Sequence, residues 1–246
     1  MVKTLTRLGI ATAATAAFAT GAALPAQAQS AFGTATSTTT TTGKAAGTAG
    51  LDAAKALATS RIDGRLETLH ALQLAVNDDS RLTASDRSAL STLISGDISG
   101  LTSLRGKVGG ESTVSAVRAD ETTMVDQYRV YLLVVPKVHL TNAFDIESAV
   151  DSTLQKVHDE LAARLAKEPG GGTATEKSQL ADLQTQLQNA QQAESGKVST
   201  LLAIQPGPDA NAIHSALSPL TTAAKNARAD LRKARDDAKA LHDELK

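Results

Sequence analysis

Apolar residues recur at steps of three and four along almost every long stretch of this chain, and that period restricts the fold more than any other feature. Leu51, Ala54, Ala58, Ile62, Leu66, Leu69, Leu72 and Val76 form one stripe of a helix, with Asp52, Lys55, Arg61, Arg65 and Glu67 on its other faces. Thr83-Ala84-Ser85-Asp86 is a capping box that opens a second helix along Leu90, Leu93, Ile94, Ile98, Leu101 and Leu104. Gly96 and Gly100 within it read as a weak, bent region that Gly106, Gly109 and Gly110 continue, rather than as a place of close helix approach. Ser112 reads as the cap of a third helix carrying Val114, Val117, Met124, Val125 and Tyr128 on its inner face.

A fourth helix is expected from Thr141 or Asn142 through Ile146, Val150, Leu154, Val157, Leu161 and Leu165, ending at Pro169-Gly170-Gly171-Gly172. Thr173 to Glu176 is a second capping box, and the seam that follows is Leu180, Leu183, Leu187, Ala190, Glu194, Val198 and Leu201 on a glutamine-rich helix. After Gln205-Pro206-Gly207-Pro208, Asp209 restarts a stripe at Ile213 and Leu217 that continues through Leu220, Ala224, Ala227, Leu231, Ala234, Ala238 and Leu241, with a kink or short break expected at Pro219. At ~1.5 Å per residue, helices over 51–77, 141–168 and 174–204 are each ~40–46 Å long. The expected fold is all-α, an elongated helical bundle with long antiparallel, coiled-coil-like helices. Its expected parts are a bundle over 51–168 and a hairpin over 173–246 packed on it or extending it.

Composition narrows the class further. Aromatic residues are 2% of the chain with no Trp, which argues against a β-sandwich, a barrel or an aromatic-lined ligand pocket. There is no Cys, hence no disulfide, thiolate metal site or cysteine nucleophile. The formal net charge is -1, and losing Lys3 and Arg7 with a cleaved leader makes it -3, so no basic surface is expected to hold nucleic acid.

That leader is residues 1–28. Lys3 and Arg7 precede an Ala/Thr-rich stretch from Leu8 to Leu24, and Pro25 with Ala26-Gln27-Ala28 gives the small-x-small pattern of a signal-peptidase site after Ala28. A secreted or otherwise extracytoplasmic product is expected, with no membrane span once the signal is removed. Residues 29–50, with five consecutive threonines at Thr38 to Thr42, read as a disordered linker. A plain spacer is favoured over an O-glycosylated stalk because the tract lacks proline.

No motif assembles chemistry. There is no HExxH, GxSxG, Walker sequence or GxGxxG. Asp151, His158 and Glu147 share a helical region but read as a solvated acidic face with an incidental histidine, not as metal ligands. Asn77-Asp78-Asp79 lacks the spacing of a calcium loop. No catalytic, cofactor-binding or metal residue is therefore assigned, and no cofactor is expected.

The densest concentration of unusual residues is Arg129 to Leu140, RVYLLVVPKVHL, an apolar, β-branched run that periodicity cannot assign to strand or helix. A buried helical end broken by Pro136 is favoured. Tyr128, Arg129, Tyr131, Lys137 and His139 are the candidate interaction surface, since Tyr and Arg are common at interface hot spots, and the competing reading is a buried hinge.

The Ala-rich leader, the helical body, the YRVYLLVVPKVHL stretch and the Ala/Arg/Asp-rich last helix together resemble a group of exported, cysteine-free helical proteins of high-GC Gram-positive bacteria. The resemblance implies fold and compartment, and supplies no activity or ligand. The expected function is non-enzymatic, through a protein or cell-envelope partner and with self-association open. The alternative is an extracellular helical module binding a small ligand or a divalent cation.

Overall fold

A computed structural model describes residues 43–246. The leader at 1–28 and the linker as far as residue 42 lie outside the described residues. Within 43–246 the chain is all-α, with no strand among the described residues. Its helices are α1 (Gly43–Asp78), α2 (Ala84–Gly110), α3 (Val114–Tyr128), α4 (Val135–Leu165), α5 (Ala174–Glu194), α6 (Lys197–Ala203) and α7 (Ala210–Glu244), with a π turn at Val130–Val134 and a 3-10 turn at Pro169–Gly171. The first of these begins at Gly43, so the last eight residues assigned to the linker belong to a helix instead.

Local chemistry sets most of the starts. Thr83 Oγ1 accepts from the Asp86 amide, and Thr173 and Glu176 close a full reciprocal capping box. Asp209 accepts from the amides of Asn211 and Ala212. The cap of α3 is Thr113, which accepts from Ala116 N, rather than Ser112.

Two apolar cores follow from the stripes. In the first, Ala58, Ile62, Leu69 and Val76 of α1 meet Leu90, Ile94 and Leu101 of α2 and Val117 and Met124 of α3. In the second, Leu154 and Leu161 of α4 meet Leu183 and Leu187 of α5 and Ala227, Leu231, Ala234 and Leu241 of α7. A smaller cluster of Leu133, Leu201, Ile213, Leu217 and Leu220 joins the π turn, α6 and the start of α7. The expected division after residue 168 therefore does not separate the cores. Helix α4 serves both, with Val138 in the first and Leu154, Leu161 in the second.

Polar ties give directions. Gln73 meets Ser95 and Lys55 meets Gly109, so α1 and α2 run in opposite senses; Gln179 meets Glu244, so α5 and α7 do too. Glu147 meets Arg228 and Arg164 meets the Leu245 carbonyl, so α4 and α7 run the same way.

The RVYLLVVP run is helical but wound wide. Val135 N–H bonds Val130 O, five residues back, and the π turn passes directly into α4 with Pro136 in its first turn. In an α-helix, the proline ring collides with the carbonyl four residues earlier and no N–H is present to bond it. A widened turn displaces that carbonyl, so Pro136 sits in the first turn of a helix rather than breaking one, and that helix begins at Val135, six residues before the expected start at Thr141. At the junction Arg129 takes φ 42, ψ 40, a left-handed conformation that the Cβ of a non-glycine residue disfavours by about 1–2 kcal/mol. Its guanidinium offsets this by donating to the carbonyls of Gly207 (2.7 Å) and Pro208 (2.6 Å).

Three further expectations change. Of the kink or short break expected at Pro219, the break is absent, since α7 continues through it. The single helix expected over 174–204 is divided at Ser195-Gly196, where Gly196 has φ 69 and begins α6. Gly100 is a close-approach site: the ring of Tyr128 fills the space where a Cβ would stand. Gly100→Val should therefore cost about 1–3 kcal/mol by displacing that ring from the α2–α3 contact, whereas Gly96→Val, which meets nothing, should be within about 1 kcal/mol of wild type. Urea denaturation of both variants measures the difference, and equal midpoints would contradict it.

Candidate functional site: an acidic cleft between α2, α4, α5 and α6

The stripe facing α5 and α7 on α4 is not purely apolar. Phe144, Glu147, Asp151 and Leu154 follow one another at three- and four-residue steps, and all four are buried. Glu194 occupies the corresponding place in the seam of α5, after Leu183, Leu187 and Ala190. The three carboxylates meet where α5 ends, because Gly196 turns the chain away before α6 can continue the seam.

Partners are fewer than charges. Arg228 of α7 donates from Nε to one oxygen of Glu147 at 3.0 Å, and its Nη2 forms an ion pair with the same oxygen at 2.9 Å. Gln191 Nε2 donates to Asp151 Oδ2 at 2.9 Å. Glu147 Oε2, Asp151 Oδ1 and Glu194 Oε1 are buried with no hydrogen-bond partner. Burial of an unpaired carboxylate disfavours its charged form. Desolvation accordingly lifts Glu194 to about 8, reinforced by the charges of Glu147 and Asp151. It lifts Glu147 to about 7 against the opposing pull of Arg228.

Asp151 and Glu194 face a cleft of about 710 Å³. Asp145 of α4 and Asp86 of α2 also line it, together with Phe144, Ser148, Val198 and Leu202 and the serines Ser85, Ser195 and Ser199. Asp145 is 8% exposed and accepts from the Thr83 amide at 2.7 Å, taking the place in the first capping box that the Asp86 carboxylate would fill. Its carboxyl is lifted to about 6, first by burial and then by Asp86 and Asp79, against the Thr83 hydrogen bond.

Glu147 and Asp151 are thus buried rather than part of a solvated face, and His158 points elsewhere, to Asp159 and Gln155. Among the described residues, no three Asp, Glu, His or Cys side chains stand close enough together to hold a metal ion.

The five residues of the candidate interaction surface do not form one surface. Lys137 is 1% exposed, and its Nζ donates to the carbonyls of Leu202 (2.9 Å) and Ile204 (2.6 Å), pinning the end of α6 to α4. Arg129 is tied to the 207–208 turn, and Tyr128 packs over Gly100. Tyr131 is 48% exposed beneath the Arg65 guanidinium, 5.3 Å from its ring centroid, and His139 is exposed. The segment is chiefly an internal joint. Lys137 also bounds the cleft indirectly, since Leu202, whose carbonyl it holds, is part of the cleft wall.

Of the cleft acids, only Glu147 and Asp151 stood out in the sequence, and there as surface. The available signal was Glu194, a carboxylate at a seam position between Ala190 and Val198. No family model matches the chain, and no curated protein or solved structure does either.

Proposed function

We propose that this chain is an exported, non-enzymatic helical binding protein, and that the acidic cleft receives a positively charged organic group. The observation that carries the reading is the acid set of buried Glu147 and Asp151 with half-buried Glu194, three carboxylates against one guanidinium, beside a cleft of ligand size that Asp151 and Glu194 line. Such a set lowers its free energy either by holding protons or by admitting a cation. The lack of a convergent triplet of ligands favours an organic cation over a divalent metal.

Export is supported by the leader pattern and by the resemblance to exported helical proteins, and makes the ligand an extracytoplasmic one. Mass spectrometry of protein recovered from outside the producing cell should find a mature chain beginning at Gln29. Recovery only of chains beginning at Met1, inside the cell, would overturn export. An elongated, coiled-coil-like packing in which α5 runs antiparallel to both α4 and α7 belongs to the same reading. Their apolar seams face one another; among the described residues the exposed large apolar side chains are Leu57 and Leu74 of α1 and Tyr131 of the π turn, which would be open to a protein or envelope partner.

The binding claim is tested by thermal shift of the chain with arginine amide, pentylamine and magnesium chloride at fixed ionic strength and pH 7.5. Saturable stabilisation by the organic cations, exceeding that by magnesium and reduced in Asp151→Asn, is expected. No stabilisation by any organic cation would overturn it.

A further inference from the structure

We propose that residues 196–208 form a latched strap, which opens as one unit and joins the cleft to the small cavity on the other side of Leu202. The strap does not depend on which ligand the cleft receives. Between Ala190 and Ile213 the chain buries one residue, Leu201, whereas α7 buries one at every third or fourth position from Ile213 to Leu241. Leu202 and Ile204 add only partly buried contacts. A helix of seven residues has little stability of its own, so α6 stays folded through what holds it down. At one end Gly196, with φ 69, separates it from α5; at the other Ile204 is already extended, and Pro206 and Pro208 have no amide to continue a helix. A segment with so little buried apolar surface between two such ends is the kind that opens at less than the cost of global unfolding.

Two cations form the latch. Lys137 Nζ donates to Leu202 O and Ile204 O, and Arg129 donates to Gly207 O and Pro208 O, so four carbonyls from one end of the strap are tied to the stretch that enters α4. Leu202 is the wall common to two spaces. It lines the cleft of about 710 Å³ together with Val198 and Ser199, and it lines the cavity of about 70 Å³ together with Asp97, Tyr128 and Lys137. Lifting the strap removes that wall, and the joined space then reaches Asp97 and Lys137, neither of which lines the cleft while the strap is closed.

Hydrogen exchange of the full chain, followed by NMR at low urea concentrations, tests the strap. The amides of Thr200 to Ile204 should share one opening constant, at least tenfold larger than that of the α7 amides from Leu231 to Ala238, and should respond to urea together. Protection equal to that of α7 would overturn the strap, as would unrelated constants without urea dependence, which mark the fraying of single bonds. Thiol labelling reads the joining of the two spaces, because the chain has no cysteine of its own. Val134→Cys, at a cavity-lining position that is 2% exposed, should react with iodoacetamide at least tenfold faster than Leu187→Cys in the second core. Leu133→Cys, on the same cavity wall, takes its place if circular dichroism shows Val134→Cys to be unfolded. Equal labelling of the cavity and core thiols would overturn the joining.

Discussion

Lys137→Ala should lower the unfolding free energy by about 3–5 kcal/mol, the range for removing one partner of a buried charged network. The ammonium is desolvated near the start of α4, where the helix dipole opposes a positive charge, and burial lowers its pKa although Asp97 raises it. It persists there because it is the donor for two carbonyls at the end of α6, Leu202 O and Ile204 O. Truncation orphans both carbonyls, leaves Asp97 without its nearby cation and opens space beside a cavity of about 70 Å³ already lined by Asp97, Tyr128 and Lys137. Lys137→Met, which keeps the stem and removes only the donor, should cost less, about 1–3 kcal/mol. Urea denaturation measures both. Two variants within 0.5 kcal/mol of wild type would show that α6 is held by its apolar contacts alone, through Leu201.

The second large effect is a loss of stability on raising the pH. Burial lifts five carboxyls among the described residues: Asp97 and Asp145 to about 6, Glu147 to about 7, Glu194 to about 8, and Asp237 above its ordinary range. From the ordinary carboxylate range up to about pH 8, the folded state therefore binds more protons than the unfolded one, and stability falls as pH rises. The contribution is fully present below the unfolded pKa values and is lost as pH passes the folded ones. Water reaches the cleft side of these groups, so their combined effect is discounted to about 2 kcal/mol between pH 5.5 and 8.5, or a fall of about 5 °C in melting temperature. Glu194→Gln should separate this from general alkaline destabilisation. Facing it are Glu147 and Asp151 from α4, and Arg228 from α7 holds the Glu147 carboxylate. The amide removes the residue that keeps its proton longest, so the variant should gain about 1–2 kcal/mol at pH 8.5 and be within 0.5 kcal/mol of wild type at pH 5.5. A wild-type melting temperature that rises from pH 5.5 to 8.5 would contradict the burial of these acids.

Helix period made the core legible in advance. The α1 stripe from Leu51 to Val76 faces the first core, and the α7 stripe from Ile213 to Leu241 is buried at each position named. Helix starts were readable where a side chain serves as its own cap, as at Thr83, Thr173 and Asp209. What escaped were features set by the partner across the interface. Gly100 resembles any weak helical glycine until the ring of Tyr128, 28 residues later, is placed on it. Pro136 looks like a breaker because a π turn, with its i to i−5 bond, has no sequence period of its own. Pro219 lies inside α7, where a kink or a short break was expected and no break occurs, and the same residue type thus marks a helix start at one position and an interior at another.

The site was the least readable part, for a similar reason. Glu147 and Asp151 carry the same chemistry as any exposed helical acid, and nothing local says that α4 is covered on two sides. It is covered because it belongs to both cores, a property of the packing of α1–α3 on one side and α5–α7 on the other. Glu194 was visible as an acid in an apolar register, and that irregularity is the one trace of the cleft in the sequence. The segment from Tyr128 to His139 drew attention through its residue types, yet Arg129 and Lys137 turn those charges inward onto carbonyls.

The central claim is that desolvated acids at the junction of α4 and α5 await a cation. Its most direct test is carbon-detected NMR titration of the glutamate carboxyls, alone and with pentylamine. A Glu194 midpoint near 8 that falls by at least one unit with the amine agrees with the claim. A midpoint near 4.5, unmoved by the amine, would contradict it.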